Sequence, residues 1–205
     1  TLSSSSAASD VYKRQIPMYG SLSEKVLASQ TPEKASYPHF VSFESSFYIE
    51  NIFKDIDYDG GFTLQGSKFR GSGNDKKKAA LLFKREGEVF VKTTAQTFII
   101  RKDRILSDRA SVAIYWESDS IFHVGLQMKY LHDERTLSLI RLQEGLTQSP
   151  FMDTYHKVDM YVEVMSWRMN EPKIDFAMIK GPGNLGQALF CLLYTSDAAD
   201  EEDSV

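Results

Sequence analysis

From Phe40 onward apolar side chains recur at every second position in short runs, and few folds accept that period. Gly61-Phe62-Thr63-Leu64 and Val89-Phe90-Val91-Lys92 alternate, and Ser111-Val112-Ala113-Ile114-Tyr115-Trp116 is β-branched and aromatic. Leu126-Gln127-Met128-Lys129-Tyr130 and Leu137-Ser138-Leu139-Ile140-Arg141 alternate again. Val158, Met160, Val162 and Val164 share one face, opposite Asp159, Tyr161 and Glu163; Ile174, Phe176 and Met178 oppose Asp175 and Ala177. Successive side chains of a strand point to opposite sides, so the pattern predicts half-buried strands of antiparallel sheet. Turn signals separate the runs: Asp59-Gly60-Gly61, Gly71-Ser72-Gly73-Asn74-Asp75, Glu86-Gly87, Ser118-Asp119-Ser120, His132-Asp133-Glu134 and Asn170-Glu171-Pro172. The expected fold class is all-β and mostly antiparallel. A sandwich, a meander and a layered β stack fit the pattern equally. The polar stretch from Gln143 to His156, with Gly145 and Pro150, reads as an ordered loop.

Residues 16–38 lack this period. Ser21-Leu22-Ser23-Glu24 has the form of a capping box, and Leu22 and Val26 lie one turn apart, which predicts a short helix to about Gln30. Thr31-Pro32 and Tyr37-Pro38 bracket a polar connector. The expected division is a linker or peripheral helix over 16–38 and a β-domain over 39–190.

The two ends read differently. Asp10-Val11-Tyr12-Lys13-Arg14-Gln15 can be coded GAT GTG TAT AAG AGA CAG, whose reverse complement, read one base in, gives Cys-Leu-Leu-Tyr-Thr-Ser, as in Cys191 to Ser196. The inverted match continues outward, from Ser5-Ser6-Ala7-Ala8-Ser9 to Asp197-Ala198-Ala199-Asp200-Glu201. Both ends resemble the translated adapter of transposase-based sequencing libraries, once in each orientation. That resemblance implies that residues 1–15 and 191–205 are non-native flanks. The whole chain carries 24 basic and 28 acidic residues. Setting aside the flanks removes Lys13 and Arg14 but also Asp10, Asp197, Asp200, Glu201, Glu202 and Asp203, so the remainder is formally neutral. Neutrality gives no electrostatic reason to expect a nucleic acid partner. Cys191, the one cysteine, falls in a flank, so neither an internal disulfide nor a thiolate zinc site is available. No apolar run approaches the ~18 residues of a membrane-spanning helix.

Asp55-Ile56-Asp57-Tyr58-Asp59-Gly60 places carboxylates at alternate positions before a glycine. A hard cation takes several oxygens from one tight turn, so Asp55, Asp57 and Asp59 are candidate calcium ligands. The twelfth position of such a loop would supply a bidentate acid, and here it is Gly66; the competing reading is a charged hairpin edge. Gly181-Pro182-Gly183-Asn184-Leu185-Gly186 fits the dinucleotide pattern G-x-G-x-x-G, but Lys173 and Asp175 alternate with the apolar residues before it, whereas the first strand of that fold is buried on both faces. Gly66-Ser67-Lys68-Phe69-Arg70-Gly71-Ser72 lacks the lysine of a phosphate loop. His39, His123, His132 and His156 have no metal-ligand spacing, and His123 and His156 read as packed or hydrogen-bonded side chains. Tyr115, Trp116, Trp167 and the aromatics from Phe40 to Phe53 could stack on sugar rings if exposed, or fill the core if not. Lys76-Lys77-Lys78 reads as a solvated loop.

Several phrases are similar to internal segments of long β-rich bacterial cell-envelope proteins of unassigned activity. They are Gly60-Gly61-Phe62 leading to Gly66-Ser67-Lys68-Phe69, Ser120-Ile121-Phe122-His123, Ser138-Leu139-Ile140-Arg141 followed by Glu144-Gly145-Leu146, and Thr154-Tyr155-His156. The resemblance spans most of residues 45–185 and implies an extracytoplasmic location within a larger chain, with no catalytic residues to carry over. With no complete catalytic signature, the leading expectation is a non-enzymatic structural or binding β-domain fragment whose partner is the rest of its own chain. The alternative is a carbohydrate-binding module or glycan-acting enzyme. A dinucleotide-binding enzyme ranks third.

Overall fold

The structure, a computed structural model, describes residues 18–25, 35–44, 46–66, 68–73, 76–141 and 149–179, together with the backbone of 189–192. These residues contain no helix and sixteen strands, all paired antiparallel. In chain order they are β1 (Gly20–Ser23), β2 (His39–Ser42), β3 (Phe47–Phe53), β4 (Ile56–Gln65), β5 (Lys68–Ser72), β6 (Ala79–Arg85), β7 (Glu88–Ala95) and β8 (Thr97–Ile100). The second half comprises β9 (Arg104–Trp116), β10 (Asp119–Leu131), β11 (Thr136–Ile140), β12 (Phe151–Asp153), β13 (Val158–Tyr161), β14 (Val164–Arg168), β15 (Ile174–Ala177) and β16 (Leu189–Leu192). The all-β antiparallel expectation holds.

One hydrogen-bonded sheet folds over on itself into two layers, because β4, β9 and β10 are long enough to serve both. The first half of β4 pairs with β3 and β6, and its second half with β2 and β5. The start of β9 pairs with β8 and its end with β7. The start of β10 pairs with β12 and its end with β11. One layer therefore runs β3-β4-β6-β7-β9-β10-β12-β13-β16, and the other β1-β2-β4-β5-β8-β9-β10-β11-β14-β15. Aromatic rings pack across the gap between strands that share no hydrogen bonds. Phe83 meets Tyr130 at 5.6 Å, Phe90 meets Trp167 at 4.9 Å, and Phe151 meets Phe176 at 5.6 Å. Inward side chains of both layers form one apolar cluster, the arrangement of a β-sandwich.

The crossing points break the alternation. In β9, Ile105 and Ser107 are buried, then Asp108 and Arg109 are both exposed, and burial resumes at Ala110, Val112 and Ile114. In β10 the register shifts between His123 and Leu126, and the inward set passes from odd to even numbers. An extra residue bends a strand and changes which side chains face inward, which carries it from one layer to the other. Asp59-Gly60-Gly61, expected as a turn, lies inside β4. The buried Tyr58 ring lies over this strand and over Gly71, and a Cβ at Gly60 would lie 2.4 Å from the Tyr58 hydroxyl. The glycines admit the ring.

Three other expectations are corrected. The helix at Ser21-Leu22-Ser23-Glu24 is instead strand β1, in register with β2 from Gly20↔Ser42 to Ser23↔His39. Pairing with an open edge outweighs a cap on a segment too short to nucleate a helix; Val26 to Gln30 lie outside the described residues. Val158 to Val164 is two strands, because Glu163 turns inward, and the buried parity passes from Met160 and Val162 to Met165 and Trp167. The loop expected from Gln143 to His156 contains β12, whose Phe151 is fully buried; residues 142–148 lie outside the described set.

Candidate functional site

The carboxylates of Asp55, Asp57 and Asp59 are not placed together to hold a metal. Asp57 and Asp59 project from the outer side of the strand while Ile56 and Tyr58 face the core, and each carboxylate meets a cation from this chain. The Lys84 ammonium lies 2.8 Å from Asp57 Oδ2. Tyr48 donates its hydroxyl to the same oxygen at 2.5 Å, and the Asn51 amide donates to Oδ1 at 2.9 Å. Burial alone would raise the Asp57 pKa, but these three donors outweigh it and hold it below the usual carboxylate range. The bond to Asp57 and the loss of solvent push the Tyr48 phenol up to about 12. Asp59 accepts from Lys77 at 2.7 Å and from Ser46 at 2.6 Å. Asp55, in the turn before β4 with φ 63°, pairs with Arg135 at 2.6 Å. The alternate spacing thus reads as a sheet face whose acids are met one by one. Among the described residues no group of three or more His, Cys, Asp or Glu is placed to hold a metal. The glycines from Gly181 to Gly186 lie outside the described residues, and the β15 strand before them pairs antiparallel with β14.

A cleft of about 480 Å³ opens at one end of the molecule. Its floor is apolar: Phe90 of β7, Ile114 of β9, Ile121 of β10, and Ile174 and Phe176 of β15. Its rim comes from turns. The β9–β10 hairpin supplies Trp116, Glu117 and Asp119; the β12–β13 turn supplies Asp153, Tyr155 and His156; the β6–β7 hairpin supplies Arg85. Each hairpin needs a backbone that few residues adopt. Glu86 and Gly87 both have positive φ, 55° and 89°, the pattern of a two-residue turn matched to strand twist, and Glu117 has φ 54°.

Two aromatic rings stand open at the rim. Trp116 is 72% exposed although it follows Val112 and Ile114 on the inward side of β9, a position that normally buries a ring. Tyr155 is 70% exposed. Trp167, equally consistent with a stacking role from sequence, is fully buried, with Nε1–H donating to the Glu171 carbonyl at 3.1 Å. The carboxylate of Asp153 is buried and orders the β12–β13 turn. It accepts the Tyr155 amide at 2.9 Å, the His156 amide at 3.2 Å and, at 2.8 Å, an N–H from His156 Nδ1 in the tautomer that carries a proton there. Asp119 Oδ1 accepts the Thr154 hydroxyl at 3.1 Å, and Thr154 Oγ1 accepts the Ser120 amide at 2.9 Å. These bonds join the two turns into one wall.

Sequence reasoning offered Trp116 for stacking only as one of a group with Tyr115, Trp167 and the aromatics from Phe40 to Phe53, and it missed Asp153, Tyr155 and Arg85. The signal in reach was Asp153-Thr154-Tyr155-His156, a side chain capping its own turn. The fold and the cleft together define a two-layered β-sandwich with an aromatic-rimmed opening at one end. No family model, curated protein or solved structure matches the chain. Among the described residues no helix is long and apolar enough to cross a membrane.

Proposed function

We propose that the chain is a non-enzymatic binding module of a larger extracytoplasmic protein, and that the end cleft takes a saccharide. The observation that carries this reading is the exposure of Trp116 and Tyr155 above an apolar floor. A pyranose presents an apolar C–H face to an aromatic ring and hydroxyls at its edge. A cleft with an apolar base and a few fixed polar groups matches both. The bonds that join the rim turns favour a ligand that meets a preformed surface. Binding is favoured over hydrolysis because Asp153 already accepts hydrogen bonds from its own turn and Asp119 accepts one from Thr154 of the neighbouring turn.

Affinity electrophoresis of the full chain through a panel of polysaccharides tests the proposal. Retardation by at least one is expected, Trp116→Ala abolishes it, and the melting temperature of that variant stays within a few degrees. Trp167→Ala instead costs about 3–5 kcal/mol of stability, the usual loss for a buried large aromatic. Retardation by no polysaccharide, or retardation that survives both Trp116→Ala and Tyr155→Ala, overturns the reading.

A further inference from the structure

We infer that the saccharide recognised by the cleft is acidic, with Arg85 as the group that binds its carboxylate; the inference rests on the saccharide reading and narrows it. Arg85 closes β6 and lies directly across the hairpin from Glu88. Glu86 follows it in the turn, yet no ion pair joins Arg85 to either acid among the described residues. The guanidinium instead lies over the Phe90 ring, 5.4 Å from its centroid, and lines the cleft. Register and sequence both offer an acid, and the side chain takes an aromatic face.

That choice has a chemical consequence. Held over a ring and in no ion pair with an acid among the described residues, the Arg85 guanidinium keeps a planar fork of N–H groups that matches a carboxylate at two points. Arg85 is half-buried and rests against Phe90, so part of the cost of ordering its long side chain has already been met. Three acids line the cleft, and among the described residues no ion pair joins Arg85 to Glu117, Asp119 or Asp153. Asp153 is held by Tyr155 and His156, and Asp119 by Thr154. A uronic-acid unit, with a ring to lie against Trp116 or Tyr155 and a carboxylate on its edge, supplies what this arrangement lacks.

The test is calorimetric titration of the full chain with oligogalacturonate and with the same oligosaccharide after reduction of its carboxyls to alcohols. The acidic form is expected to bind about tenfold tighter or more, as a charge-assisted bidentate contact provides, with affinity falling as salt rises. Arg85→Gln removes the preference, the affinity for the acidic form falling to that for the reduced one. Arg85→Lys, which keeps the charge and loses the fork, restores only part of it, and thermal melts confirm that both variants fold. Equal affinity for the two forms, or a preference that persists in Arg85→Gln, overturns the inference. Equal binding that Trp116→Ala abolishes does so while leaving the saccharide reading standing. Binding of neither form, with no retardation on the wider panel, removes both.

Discussion

At the scale of the residue, His123 shows how one side chain fixes a bend. Its Nε2 faces the Ser149 carbonyl at 2.7 Å, and its Nδ1 accepts the Gly125 amide at 3.0 Å. Only the neutral ring protonated on Nε2 satisfies both, since a proton on Nδ1 would meet another N–H. Burial holds its pKa below the usual histidine value, with Arg141 pressing the same way. Below about pH 6.5 the unfolded chain therefore takes up a proton that the folded chain refuses, and stability falls with pH until the folded ring titrates. Denaturant midpoints are expected to drop between pH 8 and pH 5.5. His123→Gln, destabilised at pH 8, should show a flatter slope over that range. Equal slopes would remove His123 as the source. The packed, hydrogen-bonded reading of this residue was legible from its neighbours Phe122 and Val124. The contrast between Trp116 and Trp167 was not, because both occupy strand-like runs and only the opposing layer decides which is covered.

At the scale of the element, alternation locates strands but fails where they bend. Ser111 to Trp116 and Leu126 to Tyr130 are recognisable as strands, yet they are parts of thirteen-residue strands whose other halves follow the opposite parity. A reader of period two sees a break where the chain has an extra residue. Glycine misleads for a related reason: it marks turns, and it also marks places where something large must pass. Tyr58 fills such a place, fully buried, with its hydroxyl donating to the Gly61 carbonyl at 2.6 Å. A Cβ at Gly71 would lie 2.6 Å from the Tyr58 ring. Gly71→Ala is expected to cost about 1–3 kcal/mol, as overpacking of a filled core does. Urea melts should recover part of that loss when Tyr58→Leu is added to the same chain. Full stability of Gly71→Ala alone would mean that the ring moves aside freely.

At the scale of the whole molecule, the all-β class and the strand-rich middle were legible, whereas the cleft was not. Its rim comes from turns at residues 85, 116–119 and 153–156, and no spacing rule in the sequence links them. The edges carry the prediction at this scale. β16 lines up with β13, Tyr161↔Leu189 through Val158↔Leu192, so the pairing runs past Phe190 into Cys191, where the adapter-like tail is expected to begin. Ending the chain after Phe190 leaves the backbone of Val158 and Asp159 without Cys191 and Leu192. An uncovered edge accepts other strands. Sedimentation velocity should show concentration-dependent association of the shortened chain beyond that of the full one, and identical profiles would show that this edge does not template it.

The strands common to both layers have a mechanical consequence. A sandwich joined only by loops can be prised open like a hinge, but here the same three threads run through both leaves. Neither leaf can be peeled away or melt ahead of the other, and amide exchange in the two should collapse in a single step.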